Sequence, residues 1–142
     1  MTMTLYSTFS VSDRYVGIPV DRVQEVLLAQ PITPVPLAHD HISGLLNLRG
    51  QIVTAIDLRA RMGLPAREAD APSANVIVTT DGGPLSLLVD RLGDVIPVDD
   101  ASFEPPPDTL DARSARSIKG AFKLDDALLL DLDLDEALDI TT

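Results

Sequence analysis

Short apolar runs bounded by Gly, Pro and Asp recur along the chain every ten residues or so, and helical i, i+3, i+4 spacing is almost absent. Such punctuation predicts a small all-β fold. Strands are expected near 4–11, 15–20, 23–29, 45–48 and 51–56, and again near 74–80, 84–89, 93–98, 117–124 and 127–132. Ser12-Asp13-Arg14 and Asp81-Gly82-Gly83 carry the turn residues of a hairpin within each set. Two short helices are signalled. Asp57 can cap Leu58 to Met62, with Gly63 at the helix end and Pro65 beyond it. Asp133 stands three residues before Glu136, the spacing of a capping box, and opens a last turn through Ala137 and Leu138.

The apolar pattern also repeats. Val20-Asp21-Arg22-Val23-Gln24-Glu25-Val26-Leu27 returns as Val89-Asp90-Arg91-Leu92-Gly93-Asp94-Val95-Ile96, and Ile42-Ser43-Gly44 through Asp57-Leu58 returns as Ile118-Lys119-Gly120 through Asp133-Leu134. The second copy is longer between its two blocks, in the loop around Phe103-Glu104-Pro105-Pro106-Pro107, the counterpart of Pro31 to Pro36. Two copies in one order predict two similar five-stranded barrels about a pseudo-twofold, with a groove between them. The expected organisation is a single domain over 1–142 with subdomains near 5–64 and 74–138, joined by an irregular linker from Pro65 to Ser73, and with the N-terminal strand able to cross over.

Composition narrows the function. With 142 residues, 45% of them hydrophobic, the chain can bury a core. A formal net charge of -11 repels polyanions, so nucleic acid is not an expected partner. The absence of cysteine excludes disulfides, thiolate metal sites and a cysteine nucleophile, and suits a reducing cytoplasm. The opening Met1-Thr2-Met3-Thr4-Leu5 has no basic stretch or long apolar run, and no segment approaches the ~20 apolar residues of a membrane helix. The expectation is a soluble intracellular protein with no direct membrane insertion, brought to a membrane only by a partner.

Thr33-Pro34-Val35-Pro36, then Ile42-Ser43-Gly44-Leu45-Leu46-Asn47-Leu48-Arg49-Gly50-Gln51-Ile52-Val53 and Ile56-Asp57-Leu58-Arg59, closely resemble the signature of CheW-like domains. Phe9 to Val20 and Val23-Gln24-Glu25-Val26 resemble that family's opening hairpin and third strand; Val89-Asp90-Arg91 and Ile118 to Leu134 continue the match. The family usually has a proline in the strand after the Asn-Leu-Arg-Gly block, where this chain has Thr54, a residue that suits a ladder better. The linker is also short.

The resemblance implies two SH3-like barrels and a non-catalytic adaptor. It implies the cytoplasmic tip of a chemoreceptor in the groove, and the regulatory domain of a CheA-type histidine kinase on one barrel. No receiver, kinase or phosphotransfer module is legible, so the chain reads as the standalone adaptor, cytoplasmic and recruited to receptor arrays at the inner membrane. The positions matching Val23, Glu25 and Gly44 imply partner-contacting surface or its support, and Val95, the repeat counterpart of Val26, implies the other wall of the groove. Asn47, Leu48, Arg49 and Gly50 complete the implied partner-binding set.

Read from the residues alone, Arg49-Gly50 is a hairpin turn with Gly at positive φ and Arg exposed, free to pair with a partner carboxylate. A turn arginine can equally be a solubilising residue, and Val23, Glu25 and Val26 can equally be two core valines and a solvated carboxylate. His39 and His41 are expected as exposed loop residues, since no third ligand accompanies them. Asp131, Asp133 and Asp135 alternate as in a calcium loop, but the glycine and terminal glutamate of that loop are missing. Asp81-Gly82-Gly83-Pro84 lacks the Lys and Ser/Thr of a phosphate loop. No cofactor, metal or enzymatic activity is expected. Two other readings stand beside the adaptor: the same adaptor in a surface-motility or developmental pathway, and a small-ligand-binding β-barrel, which barrels of this size disfavour because their own side chains fill them.

Overall fold

In the computed structural model, which describes residues 2–139, eleven strands and three short helices follow the predicted punctuation. The strands are β1 (Met3–Val11), β2 (Arg14–Pro19), β3 (Val23–Leu28), β4 (Ile42–Leu48), β5 (Gln51–Asp57), β6 (Ala74–Thr80), β7 (Gly83–Val89), β8 (Arg91–Asp99), β9 (Phe103–Glu104), β10 (Ile118–Lys123) and β11 (Leu128–Leu132). The helices are α1 (Leu58–Arg61), α2 (Ala112–Arg116) and α3 (Leu134–Leu138). The Asp57 carboxylate accepts from the Arg59 amide and that of Asp133 from the Glu136 amide, as capping residues should. Gly63 closes α1 at φ 72, a left-handed turn that glycine adopts without penalty. Besides 3₁₀ turns at Val20–Arg22 and Asp100–Ser102, one strand and one helix are additions to the expected set. β9 is two residues long, too short for periodicity to register, and α2 lies in the extra stretch of the second repeat behind an Asp111 cap.

The strands form two sheets, in the orders β8-β1-β2-β11-β10-β9 and β3-β6-β7-β5-β4. The sheets do not divide the chain at 5–64 and 74–138. Each takes its opening hairpin from the other repeat: β1-β2 sits between β8 and β11, and β6-β7 sits between β3 and β5. The expected crossing of one N-terminal strand is thus an exchange of both hairpins. A sequence repeat reports which strands are alike and is silent on which copy supplies each neighbour. Apart from that exchange the repeat holds to the residue: Asp131 faces Gly17 across the β11–β2 parallel pair, and Ala55 faces Ser86 across the β5–β7 pair. Bulges fall at Ile42/Gly44 and again at Ile118/Gly120. Thr54 takes a ladder place opposite Leu45.

The exchange explains the nearly unbroken apolar runs. A central cluster takes Phe9, Val16, Ile18, Leu130 and Leu132 from one sheet and Ile56, Val76, Val78, Leu87 and Val89 from the other. The opposite face of each sheet has its own smaller cluster: Leu46, Leu48, Val53, Ala55 and Ile77 in one, and Tyr6, Val98, Phe122 and Leu129 in the other. Strands β6 and β11 are therefore filled on both faces. Each such fully buried aliphatic side chain stabilises by roughly 2 kcal/mol relative to exposure.

Polar groups inside this frame are placed differently in the two halves. Tyr6 donates to Asp131 Oδ1 at 3.2 Å, and burial raises the pKa of both groups. In the other sheet Ser86 donates to Asn75 Oδ1 at 3.0 Å, and Asn75 Nδ2 is left without a partner. At the corner between β7 and β8, Asp90 accepts from Arg59 Nη2 at 2.7 Å, from Arg67 Nη2 at 2.6 Å and from the Ser12 amide at 2.6 Å. That carboxylate joins the tip of the first hairpin, helix α1 and the linker.

Candidate functional site

The tight turn between β4 and β5 puts Arg49 at φ 51 and Gly50 at φ 89. Positive φ at both central residues is the mark of a type I′ turn, whose twist matches the flanking strands. Asn47 stabilises it by accepting from the Gly50 amide at 2.7 Å. Arginine is an unfavourable choice for the first of these positions, where Asn or Gly would be relaxed. The corresponding turn of the second repeat, Asp125-Asp126, has the same ladder register, yet neither residue is at positive φ.

The sequence led us to expect a free arginine at Arg49, and the structure corrects that. Its guanidinium forms a bidentate pair with Glu25, Nη1 meeting Oε1 at 3.0 Å and Nη2 meeting Oε2. Hydrogen bonding from Arg49 lowers the Glu25 pKa, and the same bond raises that of Arg49. The arginine side chain remains 67% exposed. Glu25 lies on β3 and Arg49 at the end of β4, the two opposite edges of the five-stranded sheet. The sheet thus curls until its edges are within one ion pair of each other, and Leu27 of β3 packs with Leu46 and Leu48 of β4 beneath.

The other implied residues divide by role. Leu48 is buried in that cluster, and Val23 packs half-buried against the central core. Gly44 is buried too: a Cβ there would collide with the Thr33 carbonyl oxygen and would come within 2.7 Å of Ile32 Cγ2. Its lack of a side chain lets the 31–36 segment cross β4, where Thr33 and Leu45 exchange backbone hydrogen bonds at 2.8 and 2.9 Å. Gly44 supports the surface without being part of it. Val95 stands on β8, in the six-stranded sheet, so the implied residues are shared between sheets and the Glu25–Arg49 pairing does not include it.

A feature that sequence reading did not single out is the apolar character of the two outer edges. Val26 and Leu28 of β3 are 44% and 76% exposed, and their counterparts on β8 are Val95, 53% exposed, and Pro97. On the β8 side the strip continues across the ladder to Leu5, which faces Pro97, and to Met3. Edge strands of chains that work alone are normally blunted by charge. The repeat alignment of Val26 with Val95 was the signal that could have found the strip.

The remaining candidates are dispersed. His41 is buried and His39 half-buried, contrary to the exposed pair expected, because guanidinium groups from α1 and α2 close over His41. Asp131 bonds Tyr6, Asp133 caps α3 and Asp135 faces Arg22 at 3.6 Å, so the alternating aspartates do not converge. Among the described residues no three His, Cys, Asp or Glu side chains gather as metal ligands, and no helix is long and apolar enough to cross a membrane.

Comparison with known proteins agrees over almost the whole chain. A family model described as the CheW-like domain matches residues 6–141. The chain is similar to the chemotaxis protein CheW of Treponema pallidum, 29% identical over 89% of this chain and 77% of that one. Against the chemotaxis protein CheW of Bacillus subtilis it is 30% identical, over 92% of this chain and 84% of that one. Among solved structures it resembles the scaffolding protein TtCheW from Thermoanaerobacter tengcongensis, with 31% identity, TM-score 0.86, and coverage of 99% of this chain and 95% of that chain.

Proposed function

Since this chain belongs to the CheW-like family, a group of non-catalytic chemotaxis coupling proteins, we propose that it is an adaptor holding the cytoplasmic tip of a chemoreceptor and the regulatory domain of a CheA-type histidine kinase in one assembly. The observation that carries this reading is the exposed pairing of Glu25 with Arg49 beside apolar edge strands. A partner helix can lay apolar side chains on Val26 and Leu28 and present a carboxylate to Arg49, whose fork is already oriented. The second edge, with Val95, Pro97, Leu5 and Met3, offers a distinct apolar surface for the other partner.

This reading assigns Val23, Gly44 and Leu48 to support, and Glu25, Asn47, Arg49, Gly50 and Val95 to the contact surface. It places the protein in the cytoplasm, at receptor arrays on the inner membrane. Isothermal titration of the purified chain tests it. Both a CheA regulatory domain and a receptor-tip fragment should bind at one-to-one stoichiometry, without displacing each other. Absence of binding to either, with the chain folded by circular dichroism, would contradict it.

A further inference from the structure

The extra stretch of the second repeat contains α2, and α2 reaches across the molecule to the first repeat. There α1 and α3, counterparts in the two repeats, face each other. Arg61 of α1 donates to the Glu136 carbonyl oxygen and, at 3.1 Å, to its carboxylate. Arg113 of α2 donates to the carbonyl oxygen of Ala60, the repeat counterpart of Glu136, at 2.9 Å. Between them is a cleft of ≈ 370 Å³, lined by His41, Arg61, Arg113, Arg116, Ser117 and Glu136.

Three of the nine arginines of a chain with net charge -11 line this one cleft, against a single carboxylate that Arg61 already engages. Arg61 is only 6% exposed and His41 9%. The two ring nitrogens of His41 both face guanidinium N–H groups, Nδ1 at 3.1 Å from Arg61 Nη1 and Nε2 at 3.2 Å from Arg113 Nη2. A neutral imidazole has one lone pair and one N–H, so it can accept from only one of them, and the other contact sets donor against donor. Protonation would make both ring nitrogens donors and deepen the conflict, and burial first, then His39, Arg61 and Arg113, lower the His41 pKa against the opposing pull of Asp40.

Arg113 is also held in place. The stem of Arg113 crosses Gly63, where a Cβ would come within 2.5 Å of Arg113 Cδ. Arg116 is exposed and, among the described residues, has no hydrogen-bond or ion-pair partner. Among the described residues, this cationic cleft has an excess of donors: one guanidinium without a partner, an imidazole nitrogen facing another donor, and a single carboxylate that Arg61 already engages. We propose that it binds a small oxyanion of the phosphate class, whose oxygens accept from Arg113, Arg116 and the ring N–H of His41. Two guanidinium groups of α2 and a ring N–H from the segment before β4 converge there, and the guanidinium fork matches phosphate oxygens in bidentate fashion. The cleft is also of the size used for small ligands. Bound anion charge should draw the His41 pKa upward from its lowered position.

The chain has two histidines, so their ring resonances can be followed by NMR in the full-length protein and distinguished with His39→Gln. Titration with inorganic phosphate, and in parallel with glycerol phosphate, at constant ionic strength set by chloride, should shift His41 saturably and raise its apparent pKa. Tighter binding of the ester would assign the site to phosphomonoesters, and tighter binding of the inorganic ion to free phosphate. Arg116→Gln should weaken binding at least tenfold with an unchanged melting temperature. Shifts that do not saturate, that chloride reproduces, or that Arg116→Gln leaves intact would overturn the proposal.

Discussion

Arg49 combines an unfavourable backbone, high exposure and a bidentate partner, which is hard to explain by folding alone. An exposed ion pair contributes little to stability because water screens it and both side chains lose freedom. Arg49→Asp should therefore move the melting temperature by less than ~2 °C. The same change removes a charge-assisted donor from the proposed contact and sets an anion beside Glu25, so receptor or kinase binding should weaken by more than tenfold. Asp125→Arg, at the corresponding turn, should leave both properties near wild type. Thermal melts and calorimetric binding of both variants check this, and equal effects at the two turns would mean that the asymmetry is incidental. The exposure of Arg49 was legible from Leu48-Arg49-Gly50 and the strands beside it. Its pairing was not, because Glu25 is distant in sequence and meets it only when the sheet curls edge to edge. The burial of His41 escaped for a similar reason: its cover comes from Arg61 and Arg113, outside any local pattern.

At the scale of elements, the carboxylate of Asp90 ties the tip of the exchanged hairpin to helix α1 and the linker. Burial alone would raise its pKa, but Arg59, the Ser12 amide and Arg67 outweigh that and hold it at about 2, against an ordinary value of 3.8. A depressed folded-state pKa means that the stabilisation is fully present above pH ~4 and is lost as pH falls through about 2. Asp90→Asn should cost about 2 kcal/mol at pH 7 and progressively less below pH 4, which denaturant melts across that range would show. A cost that stays constant down to pH 2 would argue against charge as its source. Strand positions, both Asp caps and the turn glycines were legible because each depends on a few neighbouring residues. The exchange of hairpins was not. Its energetic basis is the central cluster, to which Val16 and Ile18 from one repeat and Val76 and Val78 from the other contribute across the sheets. No local pattern distinguishes that packing from two independent halves.

For the molecule as a whole, two sheets share one core and carry unlike surfaces: Glu25, Arg49, Val26 and Leu28 on one, and Val95, Pro97, Leu5 and Met3 on the other. An internal repeat that keeps its frame while its surfaces diverge suits a protein that joins two different partners. The repeat was fully legible in the sequence, and the divergence only in part, since Met3 and Leu5 join Val95 through ladder pairing rather than proximity in the chain. The decisive measurement is kinase output in a reconstituted system of a CheA-type kinase, receptor-tip fragments and this chain, read as phosphate transferred to the kinase histidine. Phosphorylation should rise well above the kinase's basal rate only when receptor and this chain are both present, and should fall toward that rate with Arg49→Asp. A rate that ignores the chain, or nucleotide turnover by the chain alone that a point substitution abolishes, would contradict the adaptor reading.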